Sequence, residues 1–320
     1  MNSTDSSPVL LYRSFGLIIA ETVYISVATV LILLGNTETI VILNSPLSWE
    51  DNANLLLQNL ALADFGVGLF LSSFAIYPSS IGLTYWPYGD AMCKLSSFLG
   101  ASCCSVSILT LALISIERYF LIVKPLRYHS LVTKDRILLA IGLMWLSVFI
   151  LFLPTFSDTL VGTVYNVDSF LCSVNFTEHR VFTMVTLCAI FLPANFVILY
   201  AYGTIFVTSH KHKRQIKAQR EVTDPTPTPR RNNRAIQTFV IITGMFNLAW
   251  VPYSLLALSR AFLDADTIPH WVEFLLPWLA MSNSFVNVII YIAFNPPFRK
   301  QLKKMVLRKL CYKQNWGQGS

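Results

Sequence analysis

Three acids sit where acids are costly. Glu21, Glu38 and Asp64 fall inside long apolar runs, and hydrocarbon cannot solvate a charge, so each is a functional candidate. Asp64 stands in Leu60-Ala-Leu-Ala-Asp64-Phe-Gly66, and Asn36, Ser107, Asn283 and Asn287 fall at similar depth in their own runs. A carboxylate among neutral oxygens suits a small hard cation such as Na⁺; a hydrogen-bonded seam that only packs helices explains the residues equally well. A further acid opens Glu117-Arg118-Tyr119 at the end of an apolar run. It would neutralise the arginine in part and release it on taking up a proton, although an arginine snorkelling from a helix end reads the same way. Phe246, Trp250 and Pro252 share one run, and the proline removes a ladder hydrogen bond, hinging the helix beside a large ring.

None of this is enzyme chemistry. The runs hold no nucleophile–base pair and no metal-ligand spacing, and His129, His179, His210, His212 and His270 all lie between them. An enzyme is not expected. His210-Lys-His212 is a metal pair or, more simply, a solvated basic stretch.

The elements that position these residues follow from composition. The 320-residue chain is 54% hydrophobic and 13% charged, with a formal charge of +7; a soluble protein carries about 25% charged residues. That excludes an ordinary soluble enzyme and a disordered chain. Apolar stretches recur at Leu17–Leu43, Asn54–Tyr77, Cys93–Val123, Ile137–Pro154, Val181–Val207, Ala235–Leu258 and Val272–Phe294. Each supplies the roughly 20 residues a membrane helix needs, and only internally bonded helices satisfy the backbone in lipid. An all-α, seven-span bundle is expected at residues 17–294, with an extracellular N-terminus at 1–16 and a cytoplasmic tail at 295–320.

Charge decides the orientation. With the C-terminus inside, only Arg13, Lys94, Arg180 and Arg260 of the 24 Lys and Arg fall outside, a strong positive-inside asymmetry. The Asn44–Asn52 loop breaks the pattern, with Glu50, Asp51 and no base. The two glycosylation sequons, at Asn2 and Asn175, both fall outside under this topology. The start has no basic n-region, so a cleaved signal peptide is not expected. The expected location is the plasma membrane.

Cys93 and Cys172 face the oxidising side, where a disulfide would pin the outer loop over the bundle mouth; two unpaired thiols are the lesser alternative. Cys103, Cys104 and Cys188 read as packing thiols inside spans. After the last span, Phe298, Leu302, Val306 and Leu310 share a helical face surrounded by bases, a short amphipathic helix for an anionic lipid surface. Cys311 at its end is a palmitoylation candidate, or a chance Cys in a solvated tail. The inner loop 208–234 holds Pro225, Pro227 and Pro229 in alternation, which favours an extended, mobile linker.

Taken together, Gly35-Asn36, Leu60-Ala-Leu-Ala-Asp64, Trp86-Pro-Tyr-Gly89, Cys93, Glu117-Arg-Tyr119, Lys124-Pro-Leu126, Trp145, Pro193, Trp250-Val-Pro252, Asn287-Val-Ile-Ile-Tyr291 and Phe298-Arg299 resemble the rhodopsin-like (class A) G-protein-coupled receptors. The resemblance implies a sodium site at Asp64, Ser107, Asn283 and Asn287. It implies a G-protein contact at Arg118, Tyr291 and the inner loops, and an aromatic switch at Trp250. By position it implies a ligand pocket at Gly100, Cys104, Val185, Ala189, Tyr253, Ser254, Pro277, Trp278 and Met281, with Glu21 and Glu273 at the outer rim. Gly100 stands where amine receptors carry an Asp, and the last span has no Lys for retinal. The pocket residues are mostly apolar, which suits a neutral or lipid-like molecule. Leu279-Ala-Met-Ser-Asn-Ser-Phe285, Phe152-Leu-Pro154 and Tyr202-Gly-Thr-Ile-Phe206 look similar to a small orphan branch whose members tend to use the stimulatory G protein, Gs. Cofactors are not expected beyond an allosteric Na⁺, nor is nucleic acid.

Departures from the family pattern carry their own expectations. Val288 replaces the usual Pro after Asn287, Ala249 replaces a Cys, and the expected Tyr in span five falls on Ala201. Asn232 stands among Arg230, Arg231 and Arg234 where relatives carry an acid that latches Arg118, so appreciable basal signalling is expected. Tyr312 and Ser320 are the only hydroxyls after Arg299, so receptor kinases and arrestin would need Thr223, Thr226 and Thr228. The alternatives are a ligand-dependent Gi- or Gq-coupled receptor for a lipid, small neutral molecule or peptide, and a transporter, which the lack of internal repeats disfavours.

Overall fold

The computed structural model describes residues 13–44, 51–176, 178–220, 230–262, 268–294 and 298–304. Its helices in chain order are α1 (Phe15–Leu43), α2 (Asp51–Val67), α3 (Ser73–Ile81), α4 (Asp90–Val123), α5 (Pro125–Leu131), α6 (Lys134–Phe152), α7 (Arg180–Thr186), α8 (Leu192–Arg220), α9 (Arg230–Phe262) and α10 (His270–Phe294). Residues 298–304 are also helical. π-turns at Gly68–Ser72 and Leu187–Phe191 join α2 to α3 and α7 to α8 into continuous rods. Among the described residues this makes seven long helical passes. Six are long and apolar enough to cross a membrane; the seventh, α9, packs along α10.

Local residues set the ends. Ser14 caps α1, its Oγ accepting from the Leu17 amide, as N-caps do. Gly82, at φ 69°, stops α3 in the left-handed region that glycine adopts without strain. Helix α4 is the central pillar: 67% of its most apolar stretch is buried, against 22% for the peripheral α6. That contrast explains the small polar residues of α4, since Ser96, Ser97, Ser102, Ser107 and Thr110 let neighbouring helices approach closely.

The polar seam between helices is hydrogen-bonded. Asn36 donates to the carbonyls of Ile32 and Ser284 at 2.9 and 3.0 Å, tying α1 to α10. Trp145 donates to Asn59 Oδ1 at 2.9 Å and Asn59 to Thr110 Oγ1 at 2.7 Å, linking α6, α2 and α4. Val288 packs on Gly35: a Cβ at that glycine would lie 3.1 Å from Val288 Cγ2. The substitution of Val for Pro therefore fills the α1–α10 seam.

Two short strands form a hairpin in the outer loop that the apolar pattern did not reveal. β1 (Thr163–Asn166) pairs antiparallel with β2 (Leu171–Val174), Tyr165 opposite Cys172. A disulfide joins Cys93 to Cys172 with Cα atoms 5.4 Å apart, fixing β2 over the bundle. Tyr165 donates to the Leu83 carbonyl at 3.1 Å, and burial pushes its phenol well above the usual range.

Candidate functional site

The site is built in four levels along the bundle. At the outer mouth, the hairpin turn is wedged between α1 and α10. Asn166 Oδ1 accepts from the amides of Asp168 and Ser169, and Phe170, fully buried at φ 58°, turns into the core. Trp278 Nε1 donates to the Ser169 carbonyl at 3.0 Å. Arg13 locks this turn: its guanidinium lies 5.0 Å from the Phe170 ring centre, donates to Glu21 Oε2 at 2.5 Å and to Asp168 Oδ1 at 2.8 Å, and has His270 Nδ1 within 3.0 Å. Beside it Glu273 pairs with Arg260 and accepts from Asn166 Nδ2 at 3.0 Å. The two rim acids are thus satisfied by the protein's own cations.

Below the turn lies a cavity of about 150 Å³ roofed by Leu171–Val174 of β2 and floored by Trp250. Cys104, Tyr253, Ser254, Pro277 and Met281 line it. The other five expected residues do not. The Leu71 side chain fills the space that a Cβ at Gly100 would need. Trp278 is buried against the hairpin turn, and Glu273 is held at the mouth. Val185 and Ala189 face outward, and Thr183, Thr186, Leu187, Ile190 and Phe191 face in. The Leu187–Phe191 π-turn holds an extra residue in this part of the helix.

At mid-depth Asp64 is wholly buried and accepts from Ser107 Oγ at 2.8 Å, Ser284 Oγ at 2.9 Å and Asn287 Nδ2 at 3.1 Å. Ser284 was not anticipated. Asn283, its neighbour, has no described hydrogen bond to Asp64; the Oδ1 atoms of Asn283 and Asn287 are buried without a partner among the described residues. A carboxylate, two hydroxyls and spare amide oxygens are a hard-oxygen set that fits Na⁺ chemically.

At the inner end Glu117 Oε2 lies 3.0 Å from Arg118 Nε, and Glu117 Oε1 accepts from Tyr128 of α5 at 2.8 Å. Sequence reading missed Tyr128, nine residues beyond the Glu-Arg-Tyr run and on the next helix. Tyr119 meets the Phe120 ring edge-on and the Tyr200 ring at a tilt. Phe246, fully buried, has its ring centre 6.3 Å from that of Trp250, which lies one turn further on and two residues before Pro252. Tyr291 packs on Phe298, the start of the 298–304 helix, with its hydroxyl buried and unpartnered among the described residues.

Asn175 follows β2, its amide nitrogen 3.0 Å from Glu178 Oε2. Glu38 is half-buried in α1. Asn2, Thr223, Thr226, Thr228 and Cys311, and the side chains of Arg230, Arg231, Asn232 and Arg234, lie outside the described residues.

Comparison with known proteins agrees with this arrangement. The family model for the 7 transmembrane receptor (rhodopsin family) matches residues 35–291. The chain is similar to the Probable G-protein coupled receptor 21 of Mus musculus, 31% identical over 88% of this chain and 82% of that one. It resembles the G-protein coupled receptor 52 of Bos taurus at 30% over 92% and 82%. The Histamine H2 receptor of Rattus norvegicus is 30% identical over 79% and 69%. The fold of this chain matches squid rhodopsin with a TM-score of 0.79, covering 96% of this chain and 92% of that one at 20% identity. The chain therefore belongs to the rhodopsin family of seven-transmembrane, G-protein-coupled receptors.

Proposed function

We propose that this multi-pass receptor works at the plasma membrane, N-terminus outside, and passes its signal to the stimulatory G protein to raise cyclic AMP. The observation that carries the reading is the inner-end set of Glu117, Arg118 and Tyr128, where the arginine is held at close range by its own neighbour. An arginine restrained by an adjacent acid is released when that acid is protonated or drawn away. The basic residues around Asn232 offer no acid from α9 to replace it, which favours basal signalling. Sequence likeness to the orphan branch favours the stimulatory protein over Gi or Gq.

The ligand site in this reading is the apolar cavity under β2, which touches Trp250. Na⁺ would be held by Asp64, Ser107, Ser284 and Asn287, with Asn283 adjacent in sequence to Ser284; the ion supplies a positive charge that stabilises one packing of the helices. Glycans on Asn2 and Asn175, palmitate on Cys311, and capture of arrestin through Thr223, Thr226 and Thr228 complete the reading. The test is nucleotide exchange on purified G proteins by the full chain in nanodiscs. Faster exchange on the stimulatory protein than on Gi or Gq proteins, lost in Arg118→Ala, is expected; preference for another G protein would overturn the coupling.

A further inference from the structure

The cavity under β2 is small and its polarity is uneven, and both facts bear on what it takes. Ordinary ligand sites enclose roughly 300–1,000 Å³, whereas this one offers about 150 Å³. Three features account for the shortfall. β2 is drawn down over it by the Cys93–Cys172 bridge. The Leu71 side chain lies over Gly100. Phe152, Phe176 and Phe191 also line it. An apolar space of this size accommodates a benzene-sized guest, and a whole fatty acyl chain or peptide does not fit within it.

No lining residue carries a charge. An ammonium or carboxylate placed there would lose its hydration without a counter-ion, a penalty too large for a small ligand to recover. Among the lining hydroxyls, Thr183 and Thr186 are spent on the carbonyls of Phe176 and Phe182 at 2.8 and 2.9 Å. Ser97, on α4, is different: 1% exposed, it lines the cavity, and its Oγ is buried with no partner among the described residues. A buried hydroxyl in that state costs free energy until something bonds to it.

We infer that the cavity takes a compact, uncharged, mainly apolar molecule, on the order of six to ten non-hydrogen atoms, whose single oxygen bonds to Ser97 when a χ1 rotation turns that buried hydroxyl toward the guest. This rests on the cavity being the receptor's ligand site. An occupant of that size touches the Trp250 ring, so its presence bears on the hinge at Pro252 without reaching the outer mouth.

The test reads binding rather than signalling, so it stands or falls apart from the choice of G protein. Purified full chain in nanodiscs is titrated with 4-fluorobenzyl alcohol and 4-fluorotoluene, followed by ¹⁹F NMR against empty nanodiscs. Saturable binding of both is expected. Ser97→Ala should weaken the alcohol about three- to tenfold, the worth of one net hydrogen bond, and leave the toluene unchanged. Ala101→Leu, which narrows the cavity, should weaken both. No saturable binding, equal loss of both probes in Ser97→Ala, or stronger displacement of the alcohol by phenethylamine or by monoolein would overturn the inference.

Discussion

Replacing Asp64 separates a cation site from a packing seam. Its carboxylate accepts from Ser107, Ser284 and Asn287 with no exposure to solvent. Asp64→Ala strands three donors, and each unsatisfied buried group costs about 1–3 kcal/mol, so this variant should be poorly folded under either reading. Asp64→Asn is the discriminating change: it keeps one acceptor oxygen and the volume, and removes the charge. If Na⁺ binds, salt at ten times its dissociation constant stabilises the parent by about 1.4 kcal/mol. Thermal unfolding of the purified receptor in NaCl and in N-methyl-glucamine chloride, at equal ionic strength, reads this directly. The parent should melt higher in NaCl, and Asp64→Asn should melt at the same temperature in both salts. Equal melting of the parent in the two salts would refute the cation site and leave Asp64 as packing alone.

Other consequences follow from the outer mouth. The Arg13 and Glu21 side chains are 4% and 5% exposed, so Arg13→Ala leaves a buried, uncompensated acid and should cost about 3–5 kcal/mol. Arg13→Met with Glu21→Leu should recover most of that loss in the same denaturation assay; a double variant no better than the single one contradicts the pairing. Cys93→Ser removes a link between positions 79 residues apart, worth about 4.5 kcal/mol in the chain-entropy account, and should expose the 163–174 hairpin to limited proteolysis. Unchanged cleavage would mean that the hairpin is held by Trp278 and Arg13 instead. Tyr128→Phe removes one donor to the buried Glu117 carboxylate and should change the basal exchange rate at a stability cost of about 1–3 kcal/mol; a rate equal to the parent's removes Tyr128 from the inner-end restraint.

How much of this was legible in the sequence depended on whether the signal was one of composition or of contact. Seven apolar runs placed the helices, because lipid enforces apolar, internally bonded segments over long stretches. Their ends were read short, since the helices continue past the apolar core, as α8 does to Arg220. Asp64, Ser107 and Asn287 stood out as polar groups in costly places. Ser284 hid beside Asn283, because two adjacent polar residues point in different directions and only packing decides which meets the acid. Arg13 looked like an ordinary outer base, and its role depends on a turn 155 residues away. The β1–β2 hairpin is too short for alternation to register. The π-turn at Leu187–Phe191 carries no sequence mark, and Thr186 and Ile190 beside and within it line the cavity where Val185 and Ala189 were expected.

The central claim is that this chain drives the stimulatory G protein through Arg118. The most direct measurement is ligand-free cyclic-AMP accumulation in cells expressing the chain, beside Arg118→Ala at matched surface expression. The account predicts a raised signal that the substitution abolishes. A signal no higher than in untransfected cells, at good surface expression, would contradict it.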